Sequence, residues 1–279
     1  MAQLPDNSVD CVVTDPPYKY LKNQKLETDF DEALLFSQLK RVLKKDSMLA
    51  IFGRGVSFYR WCTMLNDLGF EFKEEIVWDK RHVSSPVTAI GRVHELCAVF
   101  SLGNGKIQKN KIPYTEVRES DFVALEQDIK RIKSALNNTK ELDLLLEFVA
   151  TKKISYIYDR NFKHTATFAG TAKAGSRVQC TLNSIVNGIT EKSIISIHPE
   201  IQDYKHPTQK PIRLLERLLA LVSSENALIL DPFLGSGTTA LACINTNRRF
   251  IGCEIDAEYY ETAKARIEKA LGEKESKLF

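Results

Sequence analysis

Residues 9–18 read VDCVVTDPPY, a short and mostly apolar, β-branched run that leads straight into Asp15-Pro16-Pro17-Tyr18. Such a run, closed by a turn, has the pattern of a strand buried on both faces, as in a parallel sheet. A stretch of the same build stands near the other end of the chain: ALILDPF, Ala227 to Phe233, closed by Leu234-Gly235-Ser236-Gly237-Thr238-Thr239. Outward from the first, Asp31 to Lys45 places Leu34, Leu35, Leu39, Val42 and Leu43 at helical spacing. Ser47 to Arg54 reads as a strand, Val56 to Leu68 as a helix, and EFKEEIVWDK and HELCAVFSL as two more strands. Around the second stretch, Pro211 suits a first helical turn before a leucine-rich helix over Ile212 to Ser223. A helix over Gly237 to Asn247, a strand in RRFIGCEI and a charged helix over Ala257 to Leu271 follow. Strands alternating with helices predict an α/β fold, a Rossmann-like, doubly wound, mostly parallel sheet that takes its ligands at the carboxyl ends of its strands.

Between the two runs the pattern breaks. A helical stretch around Asp121 to Val149 gives way to a polar, basic region of weak periodicity. Three parts are therefore expected: residues 1–105, an inserted lobe over 106–197, and residues 198–279.

With 279 residues, 43% hydrophobic and 27% charged, the chain can bury a large core without disulfides or metals. No run approaches the length of a membrane span and the first residues lack the features of a signal peptide, so a cytoplasmic protein with no membrane partner is expected. Cys11, Cys62, Cys97, Cys180, Cys243 and Cys253 are scattered without a CxxC pair, which reads as reduced thiols and no metal site. The net charge of +3 is unevenly spread. Lys152, Lys153, Arg160, Lys163, Lys173 and Arg177 face one acid, Asp159, between residues 152 and 180, which leaves that stretch at +5 (six minus one). Tyr156, Tyr158, Phe162 and Phe168 are interleaved with these cations. The combination suits phosphate contacts and stacking on nucleic acid; a solvated face over a small core is the other reading.

Three motifs carry chemistry. In Asp15-Pro16-Pro17-Tyr18 the prolines stiffen the backbone and remove two N–H donors, leaving carbonyls, a carboxylate and an aromatic wall. That is an acceptor-rich pocket suited to an aromatic amine, although Asp15 in a simple turn would look the same. In Asp231 to Thr239 the glycines permit a tight turn and close approach of a ligand to the backbone ahead of a helix. Alone this is a weak signal, and the full GxGxxG pattern and a P-loop lysine are both missing. Glu254, closing the next strand, is placed to bind both hydroxyls of a ribose. His206-Pro207-Thr208-Gln209-Lys210-Pro211 either lines the end of a small zwitterionic ligand or simply starts a helix.

In this order the motifs resemble those of the β-class amino-methyltransferases of bacterial and phage DNA, which modify adenine or the exocyclic amine of cytosine. IVWDK, ending at Lys80, and His94-Glu95 share that resemblance, which covers both flanks but not the middle. The resemblance implies a methyltransferase fold with an inserted target-recognition lobe and S-adenosylmethionine as cofactor. Asp15 and the Pro16 carbonyl would accept the two amine protons, with Pro17 shaping the turn and Tyr18 stacking on an extruded base. Asp231, Phe233, Gly235, Gly237 and Thr238 would surround the cofactor, Glu254 would hold its ribose, and Thr208 and Lys210 its methionine end. It further implies DNA as partner, adenine N6 as the favoured target because Asp15 rather than serine opens the motif, and a setting of restriction and modification. Cytosine N4 methylation and a catalytically silent binding module are the alternatives, and a homodimer is compatible with the pattern. Members of the family carry an earlier strand ending in Gly-Asp; since this sequence opens at Met1-Ala2-Gln3-Leu4, one edge strand and one cofactor contact are expected to be missing.

Overall fold

In a computed structural model, the structure describes residues 1–18, 29–83, 90–114, 116, 126, 129–130, 133, 143, 146–147, 150, 184, 187–199 and 209–276. The chain divides into two compact units, residues 1–110 with 192–279, and residues 111–191. Of the second unit, a two-stranded antiparallel ladder is described, β5 (Lys111–Ile112) with β6 (Ile189–Thr190). The cations at 152, 153, 160, 163, 173 and 177, Cys180, and most of the expected helix over 121–149 lie outside the described residues.

The first unit is built on seven strands: β1 (Val9–Thr14), β2 (Leu43–Gly53), β3 (Phe70–Asp79), β4 (His94–Leu102), β7 (Ile194–Ser196), β8 (Leu228–Asp231) and β9 (Arg249–Gly252). They lie in the order β7-β3-β4-β2-β1-β8-β9. Every pairing is parallel except those of β4, which runs against both β2 and β3. β4 pairs antiparallel with β2 over Ser47 to Gly53 and with β3 over Phe70 to Asp79. The result is the mostly parallel α/β sheet expected from the alternation.

Its helices are α1 (Glu32–Val42), α2 (Gly55–Asp67), α3 (Ile212–Val222), α4 (Thr238–Asn245) and α5 (Ala257–Ser276). The two-residue period of β1 explains how both faces are covered. Cys11 and Val13 point into a core shared with α3 and α4, where Leu214, Leu218, Ala242 and Cys243 are buried. Val12 points the other way, among Phe36, Leu39, Trp61 and Leu65 of α1 and α2. Local signals set the helix ends: the Asp31 carboxylate accepts from the Leu34 amide at 2.9 Å and caps α1. No helix among the described residues is long and apolar enough to cross a membrane.

Two elements depart from the sequence reading. β2 begins at Leu43, inside the stretch expected to finish a helix, because Leu43 joins the ladder opposite Val9 with an irregularity before Cys11 meets Met48. β7 falls within residues 106–197, expected to be the inserted lobe, yet it pairs with β3 in the main sheet. Side chains fasten it there: Ser196 Oγ donates to Asp79 at 2.9 Å and the Trp78 indole N–H donates to the Ile197 carbonyl at 2.9 Å.

Candidate active site

β1 and β8 are parallel neighbours whose outgoing connections diverge, β1 toward β2 and β8 toward β9. Such a switch point leaves a crevice beyond the carboxyl ends of the two strands. Asp15-Pro16-Pro17-Tyr18 follows β1 and the glycine turn follows β8, so the two motifs meet at one edge.

Asp231 joins them. This residue is 4% exposed, and one carboxylate oxygen accepts from the Thr14 hydroxyl at 3.0 Å and from the Phe233 amide at 3.1 Å. The other accepts from the Thr239 hydroxyl at 2.6 Å. Burial pushes the Asp231 carboxyl up to about 6, against the opposing pull of these donors. Asp231, expected among the cofactor contacts, thus has its oxygens engaged by the last residue of β1, the glycine turn and the start of α4.

In the turn, Gly235 and Gly237 both have positive φ, 55° and 84°. At Gly237 a Cβ would lie 3.1 Å from the Ala263 Cβ, so backbone conformation and packing both call for glycine. The Glu254 carboxylate receives the Gly235 amide at 2.8 Å and the Asp256 amide at 2.8 Å, which fixes it beside the turn at the end of β9. Thr238 is buried at the start of α4. Thr208 lies outside the described residues, whereas Gln209 is buried and accepts from Ser236 Oγ at 3.2 Å. An apolar wall continues from Phe233 to Phe30, 5.1 Å between ring centroids, then to Trp61 at 6.2 Å and on to Tyr18 at 6.3 Å. Tyr18 and Phe233 therefore belong to one aromatic chain, and Ser57 Oγ donates to the Tyr18 carbonyl at 2.8 Å to hold the first motif in place.

Lys210, expected at the methionine end of a cofactor, contacts two carboxylates. Its ammonium, 6% exposed, hydrogen-bonds Asp15 Oδ2 and lies 3.1 Å from Glu95 Oε2. Asp15 Oδ1 accepts from the Tyr18 hydroxyl, and Glu95 Oε1 accepts from Lys80. Burial would strip the charges from these groups, but each carries its counter-ion. The two lysines hold Glu95 well below the usual carboxylate range, and Asp15 and Glu95 keep Lys210 protonated. Burial raises the Tyr18 hydroxyl, and the neighbouring charges of Asp15 and Glu95 add to that rise.

Reasoning from sequence assigned no role to Thr14, Thr239, Lys80 or Glu95. Lys80 and Glu95 entered only through the family resemblance; the physical signal for their pairing is that an acid opening the apolar run HELCAVFSL needs a cation near it. Among the described residues, no group of three or more His, Cys, Asp and Glu side chains could hold a metal ion.

Sheet and paired motifs define a doubly wound α/β domain with a candidate ligand site at the switch point. A model of the N6/N4 DNA methylase family matches residues 9–265, and the chain belongs to that family. It is 26% identical over 280 residues to the type II methyltransferase M.HpaI of Haemophilus parainfluenzae, an alignment covering 96% of this chain and 71% of that protein. Among solved structures it resembles M1.HpyAVI in complex with SAM, with a TM-score of 0.53, 22% identity, and coverage of 93% of this chain and 89% of the other. It also resembles the cytosine-N4-specific PvuII DNA methyltransferase, with a TM-score of 0.56, 15% identity, and coverage of 97% and 86%. At these identities the two structures speak to the fold.

Proposed function

We propose that this chain transfers a methyl group from S-adenosylmethionine to the N6 amine of adenine in DNA. The observation that carries the proposal is the hydrogen bond between Thr14, one residue before Asp15, and Asp231, which opens the glycine turn. This bond joins the end of the strand before Asp15 to the start of the glycine turn, which supports reading the first motif as the amine acceptor and the second as the cofactor's seat, because methyl transfer requires proximity.

The residues of the turn fit the cofactor. Glycine backbone at positions 235 and 237 admits close approach, Phe233 supplies an apolar wall, and Glu254 presents a carboxylate for ribose hydroxyls. S-adenosylmethionine held by these residues would supply an electrophilic sulfonium methyl, and the proton that the amine loses on methylation would pass to the Asp15 carboxylate and on to solvent. The chain's own residues prepare the amine. Asp15 and the Pro16 carbonyl accept its two N–H bonds, which concentrates electron density on nitrogen and then stabilises the developing positive charge. Tyr18 stacks on the base, which must leave the duplex to reach the crevice. Thr208 lines the methionine end, and the cations at 152, 153, 160, 163, 173 and 177 contact DNA phosphates. Adenine is favoured over cytosine because the motif opens with aspartate.

The test is incubation of the full chain with methyl-labelled cofactor and unmodified DNA, followed by digestion to nucleosides. Label in N6-methyladenine, abolished by Asp15→Ala, is expected. Label in N4-methylcytosine would replace the substrate, and no transfer by the parent chain would mark a silent binding module.

A further inference from the structure

We infer that Lys210 is a movable occupant of the amine-accepting site, and that Glu95 is the positioning residue that receives its ammonium when the target base enters. The inference rests on the function proposed above and deepens it.

Both oxygens of Asp15 are engaged in the structure, Oδ1 by Tyr18 and Oδ2 by Lys210. An incoming amine needs one of them as an acceptor. Tyr18 is poorly placed to yield, because its hydroxyl and its stacking ring belong to one rigid side chain. Lys210 has a flexible stem, and a second carboxylate stands beside it.

That carboxylate is half used. Glu95 Oε1 is hydrogen-bonded by Lys80, whereas Oε2 is buried without a hydrogen bond although Lys210 lies 3.1 Å away. The separation makes an ion pair, and the angle fails to make a hydrogen bond. Glu95 Oε2 is thus already charge-paired with the same ammonium that bonds Asp15, and a small rotation strengthens one contact at the expense of the other. Rotation of the Lys210 ammonium toward Oε2 satisfies that oxygen and releases Asp15 Oδ2 in one movement.

The surroundings suit such an exchange. The ammonium lies 5.8 Å from the centre of the Tyr18 ring and 5.0 Å from that of Phe52, faces that tolerate a cation in either position. Two lysines and two carboxylates make up the cluster, and the amine that displaces Lys210 is neutral, so net charge is unchanged throughout. Lys80 bonds the other oxygen of Glu95, Oε1, and so anchors the receiving carboxylate.

A double-mutant cycle on the full chain tests this, with steady-state methylation of DNA and cofactor binding by calorimetry. Glu95→Gln should lower kcat about ten- to a hundred-fold, the size of coupling found between contacting groups, and leave the cofactor dissociation constant within about three-fold. In a Lys210→Met background the same Glu95→Gln change should cost less than about three-fold, because the residue it acts through is gone. If Glu95→Gln binds no cofactor, the cycle is run with Glu95→Asp, which keeps the charge but shortens the reach. Equal losses in both backgrounds, or no loss in either, overturn the inference. A parent chain that transfers no methyl refutes the proposed function instead, so the two failures are told apart.

Discussion

Replacing Asp231 with asparagine should make the stability of this protein less dependent on pH, by an amount that follows from the burial of one carboxylate. Asp231 is 4% exposed and its carboxyl is pushed up to about 6 from an ordinary value of 3.8. Below about pH 3.8 the group is protonated whether the chain is folded or unfolded, and it adds no penalty. As pH rises toward 6 the unfolded chain releases its proton first, so folding becomes progressively less favourable. Above that range both forms are ionised and the full penalty is present: about 2 pH units at 1.36 kcal/mol each, or about 3 kcal/mol. The asparagine variant carries no such titration. Its side-chain amide still accepts from Thr14 and Phe233, and the Thr239 hydroxyl can turn to accept from it, so the constant offset should be about 1 kcal/mol. Urea unfolding of both proteins from about pH 4.5 to about pH 7.5, with m-values checked for constancy, isolates the effect because every other carboxylate cancels in the difference. Because about 1 kcal/mol of the penalty is already present at about pH 4.5, the variant should gain about 2 kcal/mol on the parent across this range. A difference that stays flat, or a variant that loses ground as pH rises, would refute the claim that Asp231 is a buried, destabilising anion retained to join the two motifs.

Other consequences are simpler to check. Gly237→Ala forces a side chain into a φ of 84° against Ala263, and should lower the thermal midpoint by about 3–6 °C, corresponding to about 1–2 kcal/mol. Burial pushes the thiols of Cys11 and Cys97 far up, and those of Cys62 and Cys243 up to about 11 and about 12. Iodoacetamide at about pH 7.5 should therefore leave Cys11, Cys97 and Cys243 unmodified in the folded protein, as peptide mapping would show, without loss of methyl transfer. Lys152→Ala combined with Lys153→Ala should weaken DNA binding and reduce the slope of log affinity against log salt by about 2, while leaving cofactor affinity unchanged.

The parts of this molecule that were legible from sequence are those whose partners are local. VDCVVT and ALILD are short, mostly apolar runs closed by turns, the pattern of inner strands, and a strand that closes on a loop advertises a site. Their adjacency in the sheet follows from the doubly wound order. What escaped is set by contacts between distant residues. IIS at 194–196 is too short and too polar in its surroundings to be read as a strand, and it becomes one through β3 and the side chains of Trp78 and Asp79. Leu43-Lys44-Lys45 looks like the end of a helix until Val9 offers it a ladder. The charge cluster was harder still, since Lys80, Glu95, Lys210 and Asp15 come from four segments and meet only when β3 and β4 pair antiparallel beside the site. Lys210 shows the limit most plainly: its motif marked it as important, but its position against Asp15 depends on where Glu95 stands.

Methyl transfer here requires donor and acceptor to share one crevice. The most direct measurement is a structure of the full chain with a non-reactive cofactor analogue and a duplex bearing a destabilised adenine. An extruded adenine stacked on Tyr18, its N6 hydrogen-bonded to Asp15 and facing the sulfur position of an analogue seated against Phe233 and Glu254, is predicted, with Lys210 on Glu95. A base bound away from Tyr18, or an analogue bound away from the glycine turn, would contradict it.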